Sequence, residues 1–176
     1  ATYEAEWVTP VSRSYHGFEI CEIPPNGHGI VALMALALAS RLPIKNRAEP
    51  RSVHYAIEAM KRAFVDGMEY ITDPRYMKVD VNDLLSDAYA DRRAQGLTED
   101  AEMPRAIDPD CGGTVYLCAA DGEGNMVSFI QSNFRGFGSG IVIPGYGISF
   151  NDRASSFRLD ENAANVLVPG KKPYHT

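Results

Sequence analysis

A chain of 176 residues has room for one domain with a real core, and its 45% hydrophobic and 23% charged residues are ordinary for a globular protein. A net charge of −6 without any basic run sets nucleic acid aside as a partner, because a polyanion would be repelled. Three cysteines without a CxxC pair and four scattered histidines make neither a disulfide framework nor a metal spacing, so no metal or other cofactor is expected.

The opening ATYEAEWVTP is polar and acidic and does not read as a signal peptide. The alternation in YHGFEICEI, residues 15–23, predicts a strand, ended by the turn chemistry of PPNGHG. Residues 30–42 are apolar almost all round and read as a buried helix, with Pro43 at its end. This apolar stretch is too short for a membrane span, so none is expected in the chain. Over residues 50–71, Val53, Ile57, Met60, Phe64 and Met68 recur at helical spacing. They predict an amphipathic helix with Glu58, Lys61, Arg62 and Asp66 on its polar side. A third helix is expected from Asn82 as N-cap, with Leu84, Leu85, Ala88 and Tyr89 on one face and Gly96 as its stop.

The texture then changes. Residues 96–113, GLTEDAEMPRAIDPDCGG, are acidic, contain two prolines and read as an exposed linker. Beyond them the pattern is that of strands. Val115, Leu117 and Ala119 alternate with Tyr116, Cys118 and Ala120, DGEGN turns the chain, and MVSFIQS returns as a hairpin partner. Short strands are expected at residues 141–143 and 148–150. The glycines of GFGSG lack the GK[ST] ending of a phosphate loop and, like those of DGEGN, read as structural.

Several stretches in order carry a resemblance. PPNGHGIVALMALAL and AIEAMKRAFVDGMEYITDPRYMKV resemble the closing helices of the large subunit of the gamma-glutamyltransferase (gamma-glutamyltranspeptidase) family. GGTVYLCAADGEGNMVSF and FGSGIVIPGYGISFNDRASSF resemble the start of its small subunit. The resemblance implies an α+β chain, part of the four-layer αββα sandwich of the N-terminal-nucleophile (Ntn) hydrolases. Residues 1–113 would be the end of the large subunit and 114–176 the start of the small one, together one structural domain. It also implies a precursor that cuts itself between Gly113 and Thr114, leaving Thr114 as the nucleophile.

Chemistry agrees with that assignment. A threonine hydroxyl needs a base to take its proton. A free α-amino group, with a pKa of about 7.7–8.0, can be that base without a histidine. Only a chain terminus supplies it, so the bond before Thr114 must break first. Gly113 suits the strained attack because it has no side chain.

The resemblance also shows departures. The family's second hydroxyl near the nucleophile falls on Ser132. The Asn, Gln and Asp that surround a donor ammonium fall on Phe134, Arg153 and Ser156, with Asn133 one position away. The paired serines that hold the donor carboxylate fall on His175 and Thr176. An ammonium needs acceptors around it, and Phe and Arg provide none. The resemblance implies a self-processing amidohydrolase or acyltransferase, either a γ-glutamyl hydrolase or transpeptidase acting on glutathione or related γ-glutamyl or glutaryl amides, or a related acylase. The departures argue against an ordinary γ-glutamyl donor and for an anion near the scissile bond, as in the acylase-like branch of the family. The large subunit's carboxylate-binding Arg and the oxyanion-hole Gly-Gly pair lie outside residues 1–176, so these residues alone are expected to be nearly inactive. The competing reading is a family member that has lost donor chemistry and serves as a binding or structural protein.

Overall fold

The computed structural model describes residues 4–102 and 114–175, and of Thr114 the backbone. Two compact units emerge: one holds the described residues up to 102 together with Phe157–His175, the other those from 114 to 156.

The first unit opens with β1 (Val11–Tyr15) and β2 (Phe18–Glu22), an antiparallel pair with Tyr15 opposite Phe18. The single strand expected over 15–23 is therefore corrected to a hairpin. His16 (φ 49°) and Gly17 (φ 83°) both take positive φ, which two-residue hairpin turns need. Helix α1 (Gly29–Ala39) follows, with Ile30, Leu33 and Ala37 among its buried residues, as its apolar composition predicts. It stops four residues before Pro43, because Ser40 Oγ and Arg41 Nη1 donate to the Ala37 carbonyl at 2.7 and 2.9 Å and satisfy it there.

Helix α2 (Pro50–Tyr70) has the expected bounds, but it buries another face. Of the expected stripe Phe64 packs against the core, whereas Val53, Ile57, Met60 and Met68 are each more than 40% exposed. The buried positions are Tyr55, Ala59, Ala63 and Gly67, every fourth residue, flanked by Ser52, Glu58 and Asp66. The reason is size rather than hydropathy. This row of mostly small residues is a groove into which the bulky α1 can press, and a Cβ on Gly67 would lie 2.5 Å from Val31 Cγ2. The acids beside it are matched by cations: Glu58 pairs with Lys61 at 2.7 Å and Asp66 with Arg93 at 2.7 Å.

The third predicted helix is two. Asp80 caps α3 (Val81–Leu84) by accepting from Asn82 N, and Ser86 caps α4 (Asp87–Ala94) by accepting from Tyr89 N. Asn82 is thus capped rather than capping, and Ala90, not Ala88, is the buried alanine of α4. Gly96, at φ 77°, stands just past the helix end as expected. Residues 96–102 are mostly exposed; 103–113 of the expected linker lie outside the described residues.

Residues 157–175 have no long element, yet they contribute buried Asn165, Lys171 and Tyr174, the last within the core formed by α1 and α2.

The second unit is a set of antiparallel hairpins. β3 (Thr114–Ala120) pairs with β4 (Met126–Ser132), and β5 (Val142–Ile143) with β6 (Ile148–Ser149). Asp121 closes the DGEGN turn by accepting from Glu123 N and Asn125 N at 2.9 and 3.0 Å. Among the described residues no helix is long and apolar enough to cross a membrane.

Candidate active site

Thr114 is the first residue of β3, and the ladder register pairs it directly with Ser132, the last residue of β4. Directly opposed residues of an antiparallel pair have Cα atoms about 4.5–5.5 Å apart. The hairpin therefore makes two of the expected site residues backbone neighbours. Its register follows from a five-residue turn and alternating strands of equal length. Gly113, like Thr176, lies outside the described residues.

Past Ser132 the chain turns sharply. Ser132 Oγ accepts from Phe134 N at 2.9 Å, and Phe134 sits at φ 79°, a conformation rare for a residue with a bulky side chain. Such backbone costs on the order of 1–3 kcal/mol and persists only where its surroundings fix it. Here the serine hydroxyl holds the amide, and two guanidinium groups approach the ring. The Cζ atoms of Arg135 and Arg153 lie 5.5 and 5.9 Å from its centroid, within cation–π range. Arg153 Nη1 also donates to the Ser132 carbonyl at 3.1 Å, so this arginine reaches the strand end directly opposite Thr114.

Asp152 and Asn133 lock the two loops. Arg135 N donates to Asp152 Oδ1 at 3.1 Å, and Asp152 N donates to the Asn133 carbonyl at 3.2 Å. The Asn133 amide nitrogen donates to Ser149 Oγ at 2.9 Å. Ser156 ends the short 3-10 turn Arg153–Ser156. Gly138 permits this crossing: at φ 67° its missing Cβ would lie 2.4 Å from the Phe150 carbonyl oxygen. The glycines of GFGSG shape the loop.

The second unit thus brings together the Thr114 backbone, Ser132, Asn133, Phe134 and Arg153. His175 belongs to the first unit, where its N–H donates to the Asn26 carbonyl at 3.0 Å. Arg135 and Asp152 join the cluster, although sequence reading did not single them out. Their signal was only adjacency, Arg135 following Phe134 and Asp152 preceding Arg153. The cluster places two guanidinium groups at the Phe134 ring and the Asp152 carboxylate on the adjoining backbone.

The chain is similar to other proteins over nearly its whole length. An oxamate amidohydrolase proenzyme of Klebsiella pneumoniae is 35% identical over 95% of this chain and 32% of its own length. A glutathione hydrolase-like proenzyme of Bacillus subtilis is 34% identical over 99% of the chain and 33% of its own length. The crystal structure of a cephalosporin acylase from Bacillus halodurans superposes with a TM-score of 0.85 at 50% identity, over 99% of this chain and 32% of that one. The chain spans about a third of the length of the curated relatives it matches. Its fold is α+β, and its helices and hairpins are part of the Ntn-hydrolase sandwich, as the resemblance implied. The family model described as gamma-glutamyltranspeptidase matches residues 1–176. With the whole sequence matched and the backbone superposed on an acylase of the same fold, the chain belongs to the gamma-glutamyltranspeptidase family.

Proposed function

We propose that this chain is the central stretch of a self-processing Ntn amidohydrolase or acyltransferase, and that Thr114 is both the cleavage point and the nucleophile. The pairing of Thr114 with Ser132 at the open end of a regular hairpin is the observation that carries this reading. Its relatives' description as proenzymes supports it.

In the processing step Thr114 Oγ attacks the Gly113 carbonyl carbon, the C–N bond breaks, and the acyl group moves to oxygen as an ester. The nitrogen keeps its proton and gains another to become the new α-amino group. Water hydrolyses the ester, leaving a carboxylate on Gly113 and a free hydroxyl on Thr114. The residues up to 113 then close the large subunit and those from 114 open the small one.

In turnover the α-amino group takes the Thr114 hydroxyl proton as the oxygen attacks the substrate's amide carbonyl. It passes that proton to the leaving amine, and water or an amine acceptor then releases the acyl group. Ser132, directly opposite Thr114 in the ladder, is the second hydroxyl we assign to support the Thr114 oxygen. Donors at the developing oxyanion are needed as well. We assign activity to the whole precursor and expect residues 1–176 alone to be nearly inactive.

The substrate we assign is an amide whose acyl group ends in an anion, of the glutaryl type, with γ-glutamyl amides such as glutathione as weaker donors. Arg153 and Phe134 stand where an ammonium would need acceptors, and Ser156 supplies no charge. Asn133 lines the same turn as Phe134. The test is turnover of paired glutaryl and γ-glutamyl amides of one amine by the whole precursor, with Thr114→Ala as blank. Faster glutaryl turnover supports the assignment, and efficient glutathione hydrolysis overturns the substrate class. No turnover of any amide by a folded, processed protein would favour the binding-protein reading.

A further inference from the structure

The first unit is built from two stretches of chain that the proposed cut would assign to different polypeptides. Residues 157–175 follow Thr114, yet they pack on the unit formed by residues up to 102. We propose that this segment is the strap by which the small subunit stays bound to the large one after cleavage, with Asp73 as its polar anchor. The proposal rests on cleavage before Thr114 and adds to it where the two products hold each other.

Its contacts are those of an interior. Tyr174, 6% exposed, stands in the core cluster with Ile30, Val31 and Met34, and its hydroxyl is hydrogen-bonded to His28 Nδ1. Beside it Gly67 leaves the space: a Cβ there would be 3.2 Å from the Tyr174 hydroxyl. Asn165 is 4% exposed, and its Oδ1 accepts from Thr72 Oγ1 on one side and from Tyr174 N on the other, both at 3.1 Å. That double acceptance fixes the register of the strap.

Asp73, 1% exposed, is the charged centre. Its carboxylate accepts from Arg75 Nε at 3.0 Å, Arg75 Nη2 at 2.6 Å and Lys172 N at 2.9 Å. Arg75 Nη2 in turn donates to the Gly170 carbonyl at 2.9 Å. The ion pair thus grips the strap's backbone at two residues, through a donor and an acceptor. Asn26 adds a further such pair: its Nδ2 donates to the Pro173 carbonyl at 2.7 Å, and its carbonyl accepts from His175 N at 3.0 Å. Backbone bonds of this kind are indifferent to whether the chain is continuous elsewhere. Releasing the strap would empty the tyrosine socket and strip partners from a buried carboxylate, so a break at 113 alone does not free it.

The test uses the whole precursor, with cleavage read by intact mass and association by native mass spectrometry over a dilution series. Wild type is expected to be cut and to keep both subunits together. Asp73→Asn and Asn165→Ala are expected to be cut but to raise the subunit dissociation constant by on the order of tenfold or more. Each is repeated in the uncut Thr114→Ala background, where the strap stays covalently tethered and a folded protein confirms that the loss is one of holding. A measurement without strap variants compares hydrogen exchange at Lys172, Tyr174 and His175 in cut wild type and uncut Thr114→Ala. Equal protection supports the strap, and protection lost on cutting overturns it. Cut variants that hold together as tightly as wild type also overturn it while leaving the cleavage reading intact. A wild type that is never cut overturns both, and the mass alone tells the cases apart.

Discussion

The strap of residues 157–175 and the β3–β4 hairpin are opposites. The hairpin is fully regular, seven residues paired with seven, yet Val115, Tyr116, Met126 and Ile130 all stand exposed. The strap has almost no regular structure, yet it supplies Asn165, Lys171 and Tyr174 to an interior. Regularity and burial are separate properties. The hairpin's order comes from a local ladder and a good turn. The strap's order comes from a socket and a buried carboxylate almost a hundred residues away in the chain. The hairpin is apolar on both faces, the pattern of strands covered on both sides within a layered fold. Chemistry is proposed for the regular region, and holding for the irregular one.

Removing the nucleophile gives the largest effect expected. Thr114→Ala should abolish cleavage and amide turnover together while leaving a folded, uncut protein with a cooperative thermal melt. Loss of fold in this variant would mean that Thr114 is structural and would erase the division of labour between the two regions. Next in size is substrate selection at the hairpin's end. Arg153→Gln should lower kcat/KM for glutaryl amides by on the order of tenfold to a hundredfold, as expected for loss of a charge-assisted contact, and leave a neutral acyl amide nearly unchanged. Equal losses on both substrates would show that Arg153 only braces the Ser132 carbonyl.

Gly138→Ala should destabilise the second unit by about 1–3 kcal/mol, through its positive φ and the Phe150 carbonyl that the new methyl would strike. Thermal melts of the variant check it, and an unchanged melt would mean that the loop adjusts freely.

The smallest effect expected is one of pH, and it belongs to the strap. Burial holds His28 below its ordinary value of 6.5, and the Arg75 guanidinium holds Asp73 well below the usual carboxylate range. Both groups bind a proton less readily folded than unfolded. The His28 contribution is therefore complete above about pH 6.5 and is lost as pH falls through its depressed folded value. That of Asp73 is complete above about pH 4 and fades below it. The melting temperature should be level above neutrality and fall on acidification, with His28→Gln removing the first part of the decline. A melting temperature that rises between pH 7 and 5 would contradict the assignment of His28 as a buried neutral partner of Tyr174.

The sequence carried the local features well. Capping acids aside, the bounds of α2 and the whole of the β3–β4 hairpin follow from spacing and turn chemistry, as does the helix stop at Gly96. What it hid was decided by packing between distant residues. The apolar stripe Val53, Ile57, Met60 and Met68 was the obvious core face of α2, but α1 chose the row of Ala59, Ala63 and Gly67, since closeness of approach outweighed hydropathy. His16 and Gly17 looked like part of a strand because alternation says nothing about φ. In the candidate site, it was the family resemblance that singled out Thr114, Ser132 and Phe134. Arg135 was not singled out, because only the positive φ of Phe134 swings its ring to where two guanidiniums meet it. No pattern in residues 157–175 announced that they would pack against Asp73.

The central claim is that Thr114 becomes a chain terminus. Intact mass of the whole precursor after folding, wild type beside Thr114→Ala, tests it most directly. The account predicts two wild-type species that together exceed the precursor by one water, the smaller subunit beginning at Thr114, and a single uncut species for the variant. A wild type that stays whole, or one cut elsewhere, would contradict it.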